Sequence, residues 1–427
     1  MSGGRWVLLG LARPRRPWFA AVGRDATSGA LAAEFLKCVS AEEVRVRLEG
    51  GRRCSAVLLD GGLPAVDRDL LAAVVASGAA AVVVDDGRAG RDWSALGATA
   101  VLPAGFERRE LVEVLEASAA RVADATSLGE QAPSPGTGAV LGRVAVVCGP
   151  GGTGASTAAA ALAQGLGARG SSVVLADLAL RAEQAMLHDV RDVVPGVQEL
   201  VDAHRGATPS ADDVRALTFT VVERRYDLLL GLRRARSWSA LRPAAVTAAL
   251  DSLRAAYDVV VADVTADFEG EADGGSADVE ERNALARTAL AAADVAVVVG
   301  RPGVKGLHAL VRTVADVVEA GLPAGRVVPV LAGAPRSPRA RSEIAAAVAA
   351  LAGPALQEHR PLAAPVFLPG RRVEAALRDA RPLPSPLPER LAGAFAAVVA
   401  RSGRRPEAET GPQRVAPGSL ASWADPA

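Results

Sequence analysis

The stretch from Val144 to Asp177 reads VAVVCGPGGTGASTAAAALAQGLGARGSSVVLAD and determines the fold of the second half of the chain. An apolar run, a glycine-rich loop, an alanine-rich helical pattern and a second apolar run follow one another, which predicts a strand, a loop, a helix and a strand. Glycines let backbone N–H groups approach an anion, and a following helix adds the partial positive charge of its N-terminus. The predicted phosphate-binding residues are Gly151, Gly152, Thr153, Gly154, Ala155, Ser156 and Thr157.

Two ligand classes fit this loop, and a tight turn that binds nothing is the third alternative. Gly149, Gly151 and Gly154 satisfy the GxGxxG pattern of dinucleotide-binding folds, with Asp177 where such folds hold a ribose. Ser156 instead offers the hydroxyl that a P-loop uses for Mg²⁺, and Asp263 closes the later apolar run AAYDVVVADV. The second set of features favours a P-loop, and the predicted metal-binding residues are Ser156, Asp263 and Asp177.

Further apolar runs separated by helical patterns extend this unit into an α/β domain with a mostly parallel, doubly wound sheet. Its other predicted strands are Val173–Ala176, Val259–Ala262, Val295–Val299 and Val327–Leu331. Residues 1–121 show the same alternation and predict a second parallel sheet, with strands at Ala56–Leu59, Ala80–Val84 and Ala98–Leu102 and helices at Arg68–Ser77 and Arg109–Ala119. The segment 122–142, rich in Pro, Gly, Ser and Thr, predicts a flexible linker, the second domain spans 143–403, and 404–427 is predicted to be a disordered tail.

Composition limits the kinds of function. The 427 residues include 48 basic and 48 acidic side chains, so there is no general attraction to nucleic acid or anionic lipid. Trp18, Trp93 and Trp238 lie far apart in sequence and form no stacking platform with basic residues, and we predict no sequence-specific nucleic-acid binding. Three scattered cysteines and the absence of a membrane-length apolar run predict a cytoplasmic protein that reaches a membrane only through partners.

The quoted motifs resemble the MinD/ParA superfamily of deviant-Walker ATPases. The resemblance rests on Gly151–Thr157 (GGTGAST), Asp177 and Tyr257–Asp263, and it extends over about Arg143–Arg401. Within that superfamily the chain is most similar to the CpaE/TadZ-like branch, including actinobacterial CpaE-like or septum site-determining proteins. The resemblance implies ATP and Mg²⁺ as ligands, a homodimer, protein partners in pilus, secretion or division machinery, and a role in positioning that machinery.

Several positions depart from the superfamily's pattern. The two loop lysines are replaced by Pro150 and Ala155, and Ala179 stands where a water-positioning aspartate is expected. Loss of one lysine weakens nucleotide binding by about ten- to hundredfold, and hydrolysis, which depends more on cations, is predicted to be slow or absent. No catalytic residue is therefore nominated. An active Mg²⁺-dependent ATPase and a dinucleotide-binding protein remain the alternatives.

Replacement groups are few because lysine occurs only at Lys37 and Lys305. The candidate replacements for the missing lysines are Arg181, Arg301 and Lys305. The base pocket also departs from the pattern, because Ala332-Gly333-Ala334 follows the strand where the superfamily commonly places an asparagine. The acidic run at 266–282 is interpreted as a solvated loop.

The first domain resembles a response-regulator receiver. Residues 56–64, AVLLDGGLP, match the phosphoacceptor turn, with Asp60 at the end of the strand. Ala104 occupies the lysine position, Asp85 stands in place of a Ser or Thr, and no acidic pair follows the first strand. Phosphotransfer to Asp60 is therefore disfavoured, and a degenerate receiver that serves as a docking or dimerisation module is predicted.

Overall fold

The computed structural model describes residues 5–13, 15–50, 53–121, 141–190, 194–271, 276–356 and 362–402. The predicted disordered tail and almost all of the predicted linker lie outside these residues.

The first sheet has five parallel strands. They are β1 (Trp6–Leu11), β2 (Ala33–Cys38), β3 (Ala56–Asp60), β4 (Ala80–Asp85) and β5 (Ala100–Pro103), in the order β2-β1-β3-β4-β5. The three strands predicted from apolar runs correspond to β3, β4 and β5. The order reverses direction between β1 and β3, which makes the carboxyl ends of these two strands a topological switch point.

Four helices cover the two faces of this sheet. They are α1 (Pro17–Thr27), α2 (Ala41–Glu49), α3 (Arg68–Ala76) and α4 (Arg108–Ser118). Trp18 of α1 and Leu111 of α4 pack on one face, and Val44 of α2 and Leu70 of α3 pack on the other. Because successive residues of a strand point to opposite faces, a strand covered on both sides is apolar throughout, which explains the continuous run Ala56–Leu59.

The second sheet has eight strands, of which all but β8 run parallel to their neighbours. They are β6 (Arg143–Cys148), β7 (Val173–Asp177), β8 (Phe219–Val221), β9 (Tyr226–Leu229), β10 (Val259–Asp263), β11 (Val295–Gly300), β12 (Val327–Ala334) and β13 (Val366–Pro369). Their order is β13-β12-β11-β6-β10-β7-β9-β8. The prediction of an α/β fold with a mostly parallel sheet is confirmed, and β10 separates β6 from β7.

The helices of this part of the chain lie on both faces of the sheet. They are α5 (Ala155–Gly167), α6 (Gln184–Leu187), α7 (Val197–Gly206), α8 (Ala211–Arg215), α9 (Pro243–Ala256), α10 (Ala277–Arg282), α11 (Ala284–Ala291), α12 (Val304–Glu319), α13 (Pro338–Ala355), α14 (Glu374–Arg378) and α15 (Leu387–Ser402). Helices α5 and α15 pack together on one face. A Cβ at Gly165 would lie 2.2 Å from the carbonyl oxygen of Pro388, so the small residues of α5 permit this close approach.

Helix α3 of the first sheet contacts helices of the second. Arg68 Nε donates to the carbonyl oxygen of His204 at the end of α7 (2.9 Å), and Arg205 pairs with Asp67 (2.9 Å). Asp69 accepts a hydrogen bond from the backbone N–H of Ala244 in the first turn of α9 (2.9 Å). A carboxylate at a helix N-terminus is stabilising, so polar contacts as well as packing join the two parts.

Among the described residues, no helix is both long enough and apolar enough to cross a membrane.

Candidate functional site

The glycine-rich loop joins the carboxyl end of β6 to the N-terminus of α5. Gly152 (φ +76°) and Gly154 (φ +93°) adopt the left-handed conformation, which costs other residues about 1–2 kcal/mol. A Cβ placed on Gly151, Gly152 or Gly154 would meet no atom within 4 Å. The loop therefore presents backbone to open space beside a helix N-terminus, which is the geometry that an anion-binding loop requires.

The loop is held from within by Thr153. Its hydroxyl donates to the carbonyl oxygen of Pro150 (2.7 Å), its backbone N–H donates to the same oxygen (3.2 Å), and the residue is 8% exposed. Gly149 sits below, where a Cβ would lie 2.3 Å from the carbonyl oxygen of Val299. Among the predicted phosphate-binding residues, Thr153 thus keeps the loop in shape, while Ala155, Ser156 and Thr157 form the first turn of α5.

Two aspartates meet at the carboxyl edge of the sheet next to this turn. Asp263 ends β10 and Asp177 ends β7, and the two are paired in the register of these neighbouring strands. Both carboxylates are buried, at 2% and 0% exposure. Asp177 accepts hydrogen bonds from the backbone N–H groups of Gln184 (2.9 Å) and Ala179 (3.3 Å). The structure therefore brings the three predicted metal-binding residues, Ser156 included, to one place.

The electrostatics of this pair favour a cation. Burial raises the pKa of Asp177, and the neighbouring charge of Asp263 raises it further. Burial also raises the pKa of Asp263, against hydrogen bonds from Gln184 and Ser156 that favour its charged form. Two buried carboxylates side by side cost free energy unless a positive charge compensates them, and a divalent ion would supply that charge.

Gln184, at the start of α6, was not predicted to be part of the site. It is fully buried, and its Nε2 donates to Asp263 Oδ2 (2.7 Å) and to the carbonyl oxygen of Ser156 (3.0 Å). Its Oε1 is buried without a hydrogen-bond partner. The side-chain amide therefore bridges the first turn of α5 to the acid of β10, where an approaching cation would have to compete with it.

The donor set suits Mg²⁺ only with help from a ligand or water. In the part of the chain that the structure describes, no group of three or more His, Cys, Asp or Glu side chains could hold a metal ion. Mg²⁺ is commonly bound by one or two carboxylates together with substrate phosphates and water. The hydroxyl of Ser156 with Asp263 and Asp177 matches that pattern.

One of the three candidate cations touches the loop. Arg301, which follows β11, donates through Nε to the carbonyl oxygen of Gly152 (3.1 Å). It has no acidic partner among the described residues, so its charge is not neutralised by an ion pair. Arg181 and Lys305 are exposed, and neither makes a hydrogen bond to the loop within the described ranges. Arg301 is thus the candidate that lies where a phosphate-binding cation is needed.

The positions that depart from the superfamily's pattern also lie around this site. The carbonyl of Pro150 is used by Thr153, and Ala155 begins α5 without a charged side chain. Ala179 contributes only its backbone N–H, which bonds Asp177. Gly333, near the end of β12, has a left-handed backbone (φ +73°) and lies between two alanines. The edge of the site at β12 therefore offers no amide side chain to a base.

These features define an α/β protein with a doubly wound, mostly parallel sheet and a glycine loop beside two buried acids at its carboxyl edge. No protein-family model matches the chain, and no curated protein matches it.

Similar solved structures are ParA and MinD family ATPases. A ParA family ATPase from Chlorobium tepidum TLS is 16% identical (TM-score 0.41), covering 62% of this chain and 99% of its own. The septum site-determining protein MinD of Pyrococcus horikoshii OT3, complexed with Mg-ADP, is 18% identical (TM-score 0.41; 62% and 96% covered). Cyanothece McdA in complex with ATP is 17% identical (TM-score 0.42; 62% and 98% covered). Likeness at these values assigns no function.

Proposed function

We infer that this protein is a nucleotide-responsive positioning protein of the CpaE/TadZ-like kind, which binds Mg²⁺-ATP weakly and hydrolyses it slowly or not at all. The machinery it positions would be a division septum, a pilus or a secretion system. The observation that carries the inference is the meeting of an open glycine loop with Ser156, Asp177 and Asp263 at one edge of the sheet. A phosphate cradle and a pair of Mg²⁺-type acids in contact favour a nucleoside triphosphate over a dinucleotide.

Binding of the phosphates would rely on backbone rather than on lysine. The N–H groups of the loop and the N-terminus of α5 supply partial positive charge, and the guanidinium of Arg301 supplies the full charge nearest to the loop. Mg²⁺ would be held by Ser156 and, directly or through water, by Asp263 and Asp177. Because neither Pro150 nor Ala155 can donate to a β- or γ-phosphate, affinity should be low.

Hydrolysis lacks two of its usual supports. A single cation on the transferring phosphoryl group is worth about 10³–10⁵ in rate, and the loop carries no lysine to supply it. Ala179 has no side chain to orient a water molecule. The competing proposal, an active ATPase, is favoured by one contact, because Arg301 already lies on the loop and a rotation of its guanidinium would bring it onto bound phosphates.

Gln184 gives nucleotide binding a route to a conformational change. Its side-chain amide donates hydrogen bonds to the Asp263 carboxylate and to the carbonyl oxygen of Ser156. Coordination of Mg²⁺ by Asp263 would therefore displace the amide. The displaced residue belongs to α6, which contacts α14. A ligand shifts a conformational equilibrium only if it binds one state better, and this exchange of partners at Asp263 provides such a difference.

The first domain, proposed to span residues 1–121, would serve as a degenerate receiver-like docking module. Asp60 is 1% exposed and already accepts hydrogen bonds from Arg16 Nε (2.9 Å) and from the backbone of Arg13 (3.1 Å) and Gly62 (3.0 Å). A carboxylate with these partners is an anchor of the surrounding loops rather than a phosphoacceptor. The P-loop domain, proposed to span 143–403, would dimerise and carry the nucleotide response.

Calorimetric titration of the full chain with Mg²⁺-ATP tests the proposal, with ADP, NAD and Mg²⁺-free ATP as comparisons and phosphate release followed in parallel. Saturable binding that requires Mg²⁺, with negligible release, is the expected result. Asp263→Asn should abolish the increase in ATP affinity that Mg²⁺ produces. Asp294→Asn, a matched change at a partly exposed acid paired with Arg143, should leave that increase unchanged. Preference for NAD, or no binding at millimolar ATP, would refute a nucleoside triphosphate site, and steady release would establish the ATPase instead.

Positioning itself is tested by imaging the tagged full chain in its native cell. Discrete foci that become diffuse with Asp263→Asn, and persist with Asp294→Asn, are expected of a nucleotide-responsive positioning protein. A uniform distribution of the unaltered chain, or foci that ignore Asp263→Asn, would contradict the role.

A further inference from the structure

A cleft lined by arginines lies at the edge of the first sheet, whereas the glycine loop belongs to the second sheet. It has a volume of about 460 Å³ and is lined by Arg13, Arg15, Arg16, Gly62, Asp86, Arg88 and Ala89. The loop after β1 and the loop after β4 provide most of these residues. The cleft therefore opens at the carboxyl ends of the strands, beside the switch point between β1 and β3, which is where doubly wound sheets bind ligands.

Positive charge predominates in this cleft. Arg16 is held in place by two ion pairs, because its Nε pairs with Asp60 (2.9 Å) and its Nη1 pairs with Asp86 (3.1 Å). Arg15 and Arg88 make no side-chain hydrogen bond or ion pair within the described residues. Four guanidinium groups therefore face the carboxylates of Asp60, Asp85 and Asp86 at the same strand ends, and a cleft with an excess of positive charge concentrates anions.

The backbone presents these arginines at the mouth of the cleft. Arg15 has a left-handed backbone (φ +77°), a strained conformation that is enriched where loops clamp ligands. Arg13 donates to the carbonyl oxygen of Gly62, which keeps its guanidinium at the rim. A Cβ at Gly62 would lie 2.6 Å from Arg16 Nη2, so the loop after β3 passes close beside the Arg16 guanidinium.

Helix α1 adds to the same potential. It has 11 residues, begins at Pro17 directly after Arg16, and contains no acidic residue in its first turn. Arg16, at its N-cap, makes no side-chain capping hydrogen bond. The N-terminus of this helix is therefore left with its partial positive charge, which favours an anion at that end.

From this arrangement we propose that the cleft binds a small phosphomonoester. Arg13, Arg15 and Arg88 bind its phosphate, and the ion-paired Arg16 lies beside them in the lining of the cleft. A phosphomonoester carries about −1.5 to −2 charges at neutral pH, which is opposite in sign to the arginines that line the cleft. Guanidinium groups bind phosphate oxygens in bidentate fashion. A volume of about 460 Å³ exceeds the needs of a bare phosphate ion and lies within the range of small-molecule sites, so the ester's organic part occupies the remainder.

Calorimetry of the full chain with ribose 5-phosphate, inorganic phosphate and ribose tests the site. Ribose 5-phosphate is expected to bind more tightly than inorganic phosphate, ribose should not bind, and added NaCl should weaken the interaction because charge dominates it. Equal affinity for the two phosphates would overturn the assignment of an ester, and no binding of either would overturn the site.

The variants locate the binding. Arg15→Gln combined with Arg88→Gln should weaken binding of ribose 5-phosphate by at least about tenfold, because charge-assisted hydrogen bonds are lost. Thermal unfolding should be unchanged, since neither side chain has a partner among the described residues. The matched control is Arg24→Gln, an exposed arginine in the last turn of α1, which should bind normally. Weakening by Arg301→Gln in place of the double variant would put the phosphate in the glycine loop and overturn the proposal.

Discussion

The contact between Arg301 and the glycine loop makes a sharp prediction for nucleotide affinity. Replacing Arg301 with glutamine removes the positive charge while keeping a side chain of similar reach. In the absence of nucleotide the lost interaction is a single hydrogen bond from Nε to the carbonyl oxygen of Gly152 at an exposed position. Such a bond contributes about 1 kcal/mol or less to folding, so Arg301→Gln should fold and melt almost as the unaltered chain does.

The effect on binding should be larger. If the guanidinium donates to a nucleotide phosphate, its loss removes a charge-assisted interaction of about 1.5–3 kcal/mol, which is about ten- to 150-fold in Kd. Arg301→Lys, which keeps the charge but not the planar fork, should recover part of this loss. Lys305→Gln is the matched control, because it removes an exposed cation four positions along in the first turn of α12.

Calorimetry with Mg²⁺-ATP on the three variants measures these differences. The reasoning is refuted if Arg301→Gln binds as tightly as the unaltered chain, or if Lys305→Gln loses as much affinity. An unchanged Kd would mean that the guanidinium serves only to hold the loop through Gly152.

Three further predictions concern stability. Gln184→Leu removes the two hydrogen bonds that the Gln184 amide donates to the Asp263 carboxylate and to the carbonyl oxygen of Ser156. The free energy of unfolding in urea should therefore fall by about 1–3 kcal/mol; an unchanged value would show that Gln184 does not stabilise Asp263. Burial, with the positive charge of Arg68, lowers the pKa of His204 to about 4; because the unfolded chain binds this proton first, the contribution of His204 to stability should be full above about pH 6.5 and fall by on the order of 2 kcal/mol towards pH 4, and urea titrations should show this difference between the unaltered chain and His204→Asn. Arg68→Ala removes hydrogen bonds to His204 and Thr208 across the two sheets and should lower the free energy of unfolding by about 1–2 kcal/mol, whereas Arg109→Ala, at an exposed i,i+4 pair, should change it little.

Local patterns predicted the five strands that surround the site, β6, β7, β10, β11 and β12, and helix α5. The run Val259–Ala262 became β10, and Arg68–Ser77 became α3 with one residue fewer. Such runs are readable because a strand covered on both faces has to be apolar at every position. Four strands were missed. Strands β8 and β13 have three and four residues and are only partly buried, β2 contains Glu34 and Lys37, and β9 has four residues, so their sequences carry little hydrophobic signal.

The candidate site also contains residues that the sequence predicted and one that it did not. Glycine positions, the hydroxyl of Ser156 and an acid at the end of a strand are local features, and each is visible in sequence because the backbone geometry or the ligand chemistry demands that residue type. Gln184 carries no such signal, since a glutamine in a short helix has no preferred partner. Its role depends on where α6 lies relative to β10, which is set by packing over long distances in sequence.

By itself, the sequence determined the alternation of strands and helices, the glycine loop and the loss of its lysines, because these follow from residue type and spacing. Only the tertiary structure decided that β10 lies between β6 and β7, which brings Asp263 beside Asp177 and Ser156. It also decided which arginine contacts the loop, because the position of a long side chain depends on the fold around it. The physical reason is that strand order and side-chain direction depend on how the layers pack, and no short stretch of sequence contains that information.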